Sequence, residues 1–166
     1  MTAPIFMGSA YLARNSRWQW VSAGQQRSVW DGVDIVEPDH PVVRGLTGNF
    51  FDVPLGIDHL GPGDVGQGTI IATIINNNGE DATAIVAWEP GQEFTPEFAF
   101  LAGGARLFLP IYRYHEANGF GNAADTTDGD HVNYTENGLK IIKQGIDWLH
   151  SFNANSGSDV EIWDLY

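Results

Sequence analysis

The stretch "GTIIATIINNNGEDATAIVAWEPG", residues 68–91, decides the fold class of this chain of 166 residues. Its first half is rich in β-branched residues, which favour strands. A polar turn at Asn77-Asn78-Gly79 separates that run from a second apolar run, which ends at Pro90-Gly91. Two such runs on either side of a glycine-containing turn predict a β-hairpin. The protein is therefore expected to contain a sheet, with two neighbouring strands supplied by residues 68–91.

Further extended segments lie on both sides of this hairpin. Residues 3–12, "APIFMGSAYL", predict a short strand that runs into a helical turn. Residues 17–21, "RWQWV", alternate, so Trp18 and Trp20 would share one face if the segment were extended. Residues 105–112, "ARLFLPIY", form a nearly continuous apolar run, which is expected of a strand buried on both faces.

One strong amphipathic helix is predicted near the C-terminus, in "YTENGLKIIKQGIDWLHSF" (134–152). Thr135 is a natural N-cap, and Glu136 in the first turn suits the helix dipole. Apolar residues recur at helical spacing and form a stripe: Leu139, Ile142, Ile146 and Leu149, widened by Ile141 and Trp148. Strands followed by a closing helix predict a strand-rich α/β fold. We expect a single domain over residues 1–153, followed by a linker and amphipathic tail over 154–166.

Composition restricts the possible functions. The chain has 21 acidic residues against 8 Lys and Arg, a net charge of −13 and no cysteine. Such a charge repels phosphate backbones, so nucleic acid is not an expected partner. No apolar run is long enough to span a bilayer, so no membrane insertion is expected. The absence of cysteine excludes disulfides, thiolate nucleophiles and cysteine-based metal sites. The acidic, lysine-poor surface favours an extracellular or surface-associated setting, although the chain shows no signal peptide.

Read in order, five segments form a pattern that is more specific than any one of them. They are "VDIVEPDHPVVRGL" (33–46), "GTIIATI" (68–74), "TAIVAWEPG" (83–91), "ARLFLPI" (105–111) and "YTENGLKIIKQGIDWL" (134–149). The matched positions are Pro38, Asp39, His40, Pro41, Gly45 and Leu46, then Trp88, Glu89, Gly91 and Arg106, then Thr135, Gly138 and Trp148.

In this order the segments resemble the later two-thirds of a class I glutamine amidotransferase-like, flavodoxin-like domain. The trehalose-utilisation-type and secreted-module branch of that superfamily is the most similar. The resemblance implies a flavodoxin-like sheet that is truncated on its N-terminal side, because the family's leading strand–helix units have no counterpart here. It also implies a fold without catalysis, since the relatives with known chemistry use a cysteine nucleophile and this chain has none.

His40 stands in "PDHPVVRGL" (38–46), beside an acid and a proline. Asp39 or His40 can cap a single helical turn, Pro41 suits its first position, and Gly45 suits the left-handed position after it. We therefore interpret this histidine as structural. The segment "GPGDVGQG" (61–68) matches Gly-x-Gly-x-x-Gly but precedes a strand instead of following one, so it is interpreted as a loop and not as a cofactor site.

The long polar segment 112–134 is the most site-like part of the sequence, because it follows a buried strand and is unusually long. Its His115 and Glu116, with Glu89 at the end of the preceding hairpin, are weak candidates for general acid–base catalysis. Asp125, Asp128 and Asp130 could bind Ca²⁺, but a solvated loop is the favoured interpretation, because Asp-Gly is an ordinary turn signal. His131 is a further candidate for ligand binding. No nucleotide or other organic cofactor is expected.

The six tryptophans are divided between core and surface. Trp88 and Trp148 lie on elements that are expected to pack, so they are assigned to the core. Trp18, Trp20, Trp30 and Trp163 are candidates for ligand binding or for an interface.

Three functions follow from these observations. The favoured one is a non-catalytic, structural module that acts in assembly or in ligand binding, with carbohydrate among the ligands, as part of an oligomer or a larger extracellular complex. Self-association or a partner chain is expected because a truncated sheet would expose strand edges. The alternatives are an enzyme acting on a carbohydrate or another small polar substrate, and a calcium-stabilised carbohydrate-binding module.

Overall fold

A computed structural model describes residues 3–28, 33–46, 51–52, 57–97, 99–110 and 133–153. The chain forms β1 (Ile5–Met7), α1 (Ala10–Ala13), β2 (Gln25–Ser28), β3 (Asp34–Ile35), β4 (Phe51–Asp52) and β5 (Ile57–Leu60). It continues through β6 (Thr69–Ile75), β7 (Asp81–Trp88), β8 (Arg106–Phe108), β9 (Asn133–Tyr134) and α2 (Glu136–Asn153). The fold is α/β-like and strand-rich, as the sequence predicts.

The main sheet has seven strands and is mixed. Strand β7 is its centre: β6 pairs with one edge, while β8 and β5 share the other, at Val86–Trp88 and at Thr83 respectively. Strand β3 extends the β6 side, β2 pairs with β5, and β1 pairs with β8. The β1–β8 pair is parallel, whereas every other pair in the described part of the sheet is antiparallel. Strands β4 and β9 form a separate two-stranded ladder.

The predicted hairpin is the best-formed part of the sheet. Strands β6 and β7 pair from Thr69↔Ala87 to Ile75↔Asp81 around the expected turn, with Gly79 at φ 78°. Asn76 closes the turn, since its Oδ1 accepts hydrogen bonds from the backbone N–H groups of Asn78 and Glu80, both at 2.9 Å. The prediction of this hairpin is confirmed.

Both faces of the sheet are covered. On one face, Ala87 and Leu107 pack with helix α2 and the turn at 38–46; on the other, Val86 and Phe108 pack with α1 and the loop that follows it. Alternate residues of β7 and β8 thus enter different cores, and both strands are buried on both faces. The sequence prediction for the apolar run at 105–112 is confirmed for the strand within it.

Helix α2 begins as predicted but buries a different face. The Thr135 Oγ1 accepts a hydrogen bond from the Gly138 N–H at 3.1 Å, which is the expected N-cap. Ile141, Trp148 and Leu149 are buried, whereas Leu139 and Ile146 are 58% and 42% exposed. The apolar stripe was therefore placed wrongly at Leu139 and Ile146.

Gly145 explains this rotation of the buried face. A Cβ at this position would lie 2.5 Å from Cδ2 of Leu107, so only glycine lets the helix approach β8 this closely. The contact face is consequently centred on Gly145 and its neighbours at helical spacing. A pattern of apolar side chains cannot reveal a face whose central residue has no side chain.

Candidate ligand-binding surface

Most of the site candidates named from the sequence lie outside the described residues. They are Trp30, His115, Glu116, Asp125, Asp128, Asp130, His131 and Trp163. The acid–base and calcium hypotheses for the segment 112–134 therefore stay predictions.

Glu89 is exposed and directly follows strand β7. Its backbone N–H donates to Oε1 of Gln92 at 2.6 Å, and its carbonyl accepts from the Gln92 N–H at 3.1 Å. Glu89 thus begins a tight turn at the end of the hairpin. Its pairing with His115 in catalysis stays a prediction, because His115 is not among the described residues.

His40 lies in the turn that the sequence predicted. Its Nδ1 accepts a hydrogen bond from the Val42 N–H at 3.2 Å, and Gly45 has the left-handed φ of 74°. The imidazole also contacts the Trp148 ring, with centroids 5.5 Å apart. Burial, assisted by the charge of Arg44, lowers the pKa of His40. These contacts support the structural interpretation of this histidine.

The segment "GPGDVGQG" (61–68) is a loop, in agreement with the sequence prediction. It covers the indole of Trp88, whose Nε1 donates to the Val65 carbonyl at 2.8 Å. A Cβ on Gly68 would lie 2.4 Å from that nitrogen, so the glycine is needed for close packing. These residues pack against the core.

A cluster of buried aromatic rings lies beneath this loop. Trp20 stacks on Phe94 with centroids 5.3 Å apart and an interplanar angle of 5°, and both rings meet Trp88 edge-on, at 5.7 and 5.3 Å. Trp20 is 5% exposed and Trp88 is fully buried. The indole of Trp20 is therefore part of the core, contrary to its selection from the sequence as a surface candidate.

Trp18 is the exposed neighbour of this cluster. Its ring is tilted against Trp20 at a centroid distance of 5.9 Å, yet the residue is 50% exposed. The segment is not the extended strand that alternation suggested: Gln19 has a left-handed φ of 58°, which turns Trp18 outward and Trp20 inward. The indole of Trp18 is thus partly exposed to solvent and packs against the buried ring of Trp20.

Two arginines precede Trp18 in the chain, and both lie against the ring of Tyr11. The guanidinium carbons of Arg14 and Arg17 are 4.1 and 4.8 Å from the centroid of the Tyr11 ring. Arg17 also donates a hydrogen bond from Nη2 to the Tyr11 hydroxyl. The pKa of that hydroxyl is lowered, first by this hydrogen bond, and the charges of both guanidiniums act in the same direction. We call Tyr11, Arg14, Arg17 and Trp18 the Trp18 surface.

Backbone hydrogen bonds fix the loop that carries this surface. Trp18 N–H donates to Leu12 O at 2.9 Å, Gln19 N–H to Arg14 O at 3.1 Å, and Trp20 N–H to Ala13 O at 3.1 Å. Asn15 bridges the other side of the loop through its Nδ2, which donates to the Ser22 carbonyl at 3.0 Å. These hydrogen bonds order the backbone of the loop before a ligand binds, which lowers the entropy lost on binding.

A second, shallower feature lies against helix α2. It is an open depression of about 320 Å³ lined by Pro41, Gln144, Asp147, Trp148 and Ser151. The Oε1 of Gln144 is buried there and has no hydrogen-bond partner among the described residues. The one charged residue that lines the depression, Asp147, is paired with Lys143 at 2.6 Å.

The described part of the chain contains neither a group of side chains suited to a metal ion nor a helix suited to a membrane. Its His, Asp and Glu side chains form no group of three or more that could hold a metal ion. None of its helices is both long and apolar enough to cross a membrane.

Comparisons with known proteins add no assignment. The chain matches no protein-family model, no curated protein and no solved structure.

Sequence reasoning selected Trp18 but missed Tyr11, Arg14 and Arg17. A signal for them was present: two of the chain's few basic residues follow one tyrosine within six positions. Tyr11 and Arg14 also have the i,i+3 spacing that brings side chains together on a helical turn.

Proposed function

We propose that this chain is a non-catalytic α/β module that binds carbohydrate through the Trp18 surface. The observation that supports the proposal is the indole of Trp18, half exposed on a buried aromatic cluster. A large apolar ring in this position contributes little to the core, because Trp20 and Phe94 already fill the space beneath it.

The chemistry of the Trp18 surface suits a sugar. The C–H face of a pyranose ring packs well on a flat indole, while its hydroxyl groups need polar partners at the rim. Arg17, the residue before Trp18, is exposed and offers hydrogen-bond donors. Because the loop is already ordered by its backbone hydrogen bonds, little conformational entropy is lost on binding.

Affinity electrophoresis through gels that contain soluble polysaccharides tests the proposal. The panel should contain neutral polymers (xylan, hydroxyethylcellulose, glycogen) and acidic ones (pectate, alginate). Retardation of the wild-type protein by at least one polymer is expected, with loss of the retardation in Trp18→Ala. Leu139→Ala is the control, because Leu139 is similarly exposed, at 58%, but lies on the other face of the sheet.

Two results would contradict the proposal. Either no polymer retards the wild-type protein, or Trp18→Ala is retarded as strongly as wild type. Circular dichroism of the variant separates lost binding from lost structure.

Kinship with the flavodoxin-like amidotransferase superfamily is also kept as a proposal. It rests on the resemblance of the five sequence segments, and within the described sheet only the β1–β8 pair is parallel, as the pairs of a flavodoxin-like sheet are. A structure of the complete chain would test it by showing whether further strands lie parallel to β1 and β8.

We also propose self-association, because one edge of strand β1 is unpaired among the described strands. Among the described strands, β1 pairs only with β8, so its other edge has no partner there. Open edges are commonly covered by another chain. Light scattering of the full chain and of a variant lacking residues 154–166 tests this: a monodisperse monomer in both cases would exclude it.

A further inference from the structure

The two guanidinium groups of the Trp18 surface are not neutralised within the described part of the chain. The ion pairs there join Lys140 to Glu136 at 2.7 Å and Lys143 to Asp147 at 2.6 Å, both on helix α2. Neither Arg14 nor Arg17 takes part in one. In a protein with a net charge of −13, two adjacent arginines without a carboxylate partner are unexpected.

Arg44 and Arg106 also lack a carboxylate partner in the described part of the chain, but backbone carbonyls accept hydrogen bonds from both of them. Arg44 donates to the Asp39 carbonyl at 2.8 and 3.1 Å, and Arg106, which is 5% exposed, donates to the carbonyls of Ala3 and Ala105. Each is therefore committed to the backbone. By contrast, Nε of Arg14 is buried without a hydrogen-bond partner among the described residues, and Arg17 is exposed.

Holding two cations against one phenol ring has an energetic cost. Like charges repel, and the attraction of each guanidinium to the ring is worth only about 0.5–1 kcal/mol at an exposed site. An anion between or beside the guanidiniums removes this repulsion and supplies an acceptor for their N–H groups. A planar carboxylate or a sulfate matches the donor geometry of a guanidinium.

We propose that the Trp18 surface selects acidic saccharides, with Arg14 and Arg17 binding the carboxylate of a uronate or a sulfate ester while Trp18 stacks on the sugar ring. The inference rests on the proposed carbohydrate-binding function and specifies its ligand class. Tyr11 is the positioning residue, since both guanidiniums lie against its ring and its hydroxyl accepts a hydrogen bond from Arg17.

The net negative charge of the protein does not favour the binding of acidic sugars. A net charge of −13 repels any polyanion at long range, so general electrostatic attraction cannot produce binding. Affinity must come from contacts at the two arginines. It should therefore depend on these two side chains and not on Arg44 or Arg106.

Isothermal titration with matched sugars tests the inference. The first pair is tetragalacturonate and its methyl ester, which differ in charge only at the carboxylates. The second pair is a sulfated carrageenan tetrasaccharide and its desulfated form. At least tenfold tighter binding of one charged member than of its neutral partner is expected, and the pair that shows it identifies the anionic group.

Arginine variants locate the effect. Arg17→Gln and Arg14→Gln should each lower the affinity for the charged sugar at least fivefold more than the affinity for its neutral partner. Arg44→Gln is the control, because Arg44 packs against the turn on the other face of the sheet. Arg17 is exposed, so its replacement tests the inference even if Arg14→Gln is poorly folded.

The outcomes separate the inference from the proposed function. Equal affinity for the charged and neutral members of both pairs, with binding that still depends on Trp18, overturns the selection for acidic sugars and leaves carbohydrate binding intact. An absence of binding to any sugar overturns both. Binding of polyglutamate that depends on Arg17, with no binding of acidic sugars, would show a site for acidic peptides and also overturn the inference.

Discussion

Trp20 stacks on Phe94 almost face to face, with ring centroids 5.3 Å apart and 5° between the planes. Trp20 is buried, yet the next tryptophan in the chain, Trp18, is half exposed and leans on it. One ring thus stabilises the core while its neighbour remains available to a ligand. Replacement of Trp20 should consequently lower the stability of the fold much more than replacement of Trp18.

Trp20→Ala is expected to lower the free energy of unfolding by about 3–5 kcal/mol, because it removes a large buried ring. Trp18→Ala should lower it by less than about 1 kcal/mol, since surface substitutions cost little. Urea unfolding followed by far-UV circular dichroism measures both. Equal destabilisation by the two variants would show that Trp18 is a core residue and would remove the basis for a binding surface.

Gly145→Ala tests the close approach of helix α2 to the sheet. Alanine improves helix propensity by about 1 kcal/mol, but its Cβ would lie 2.5 Å from a methyl of the buried Leu107. Overpacking of this kind costs about 1–3 kcal/mol, so a net loss of stability is expected. In a Leu107→Val background the penalty should shrink, because the smaller side chain leaves room. A stabilised single variant would refute the contact.

Thr135→Ala removes the N-cap of helix α2, because Oγ1 of Thr135 accepts a hydrogen bond from the Gly138 N–H. We expect a loss of about 1 kcal/mol in the free energy of unfolding. Thr135→Ser keeps the hydroxyl and should lose only a small part of that. If serine and alanine were equally destabilising, the methyl group and not the hydrogen bond would be responsible.

Stability should fall when the pH drops below the ordinary pKa of histidine, about 6.5. His59 is buried, and desolvation lowers its pKa against the opposing effect of the hydrogen bond that its Nδ1 donates to the Leu60 carbonyl. His40 is shifted in the same direction. The unfolded chain therefore binds protons first, and the stability present above about pH 6.5 is lost as the pH falls.

Unfolding at about pH 7.5 and about pH 5.5 measures this effect before most carboxylates titrate. His59→Gln should show a smaller difference between the two conditions than the wild-type protein. His150→Gln is the control, because His150 is exposed on helix α2. An unchanged pH dependence in His59→Gln would mean that other groups produce it.

Calcium binding at Asp125, Asp128 and Asp130 is a prediction from the sequence alone. If it is correct, calcium at about 100 times its dissociation constant should stabilise the fold by about 2.7 kcal/mol. Thermal melting in calcium and in EDTA measures the shift, with Asp128→Asn as the matched variant. Identical melting curves would exclude a stabilising metal.

The elements that could be predicted were those specified by local chemistry. The β6–β7 hairpin follows from β-branched runs on either side of an Asn-Gly turn, and the start of α2 follows from Thr135. The turn at His40 follows in the same way from Pro41 and Gly45. In each case the determining residues are neighbours in sequence, so the pattern contains the whole cause.

The predictions that did not hold depend on contacts between distant segments. The buried face of α2 is set by Gly145 against Leu107, and the fate of Trp20 is set by Phe94 and Trp88. The outward turn of Trp18 depends on the positive φ of Gln19. Glutamine rarely adopts a positive φ, so the sequence did not predict this turn. The clustering of Arg14 and Arg17 depends likewise on the Tyr11 ring, against which both guanidiniums lie.

The pairing of β1 with β8 has a consequence for how the chain acquires its structure. The β6–β7 hairpin closes a short loop and can form early, whereas Ala3 and Arg106, joined by a hydrogen bond, are 103 positions apart. Closing so long a loop is slow, because its entropy is lost before any contact compensates for it. During synthesis, β1 emerges from the ribosome well before its partner exists. The apolar residues of β1 therefore stay exposed until β8 has been synthesised. During this interval the nascent chain can bind chaperones or aggregate.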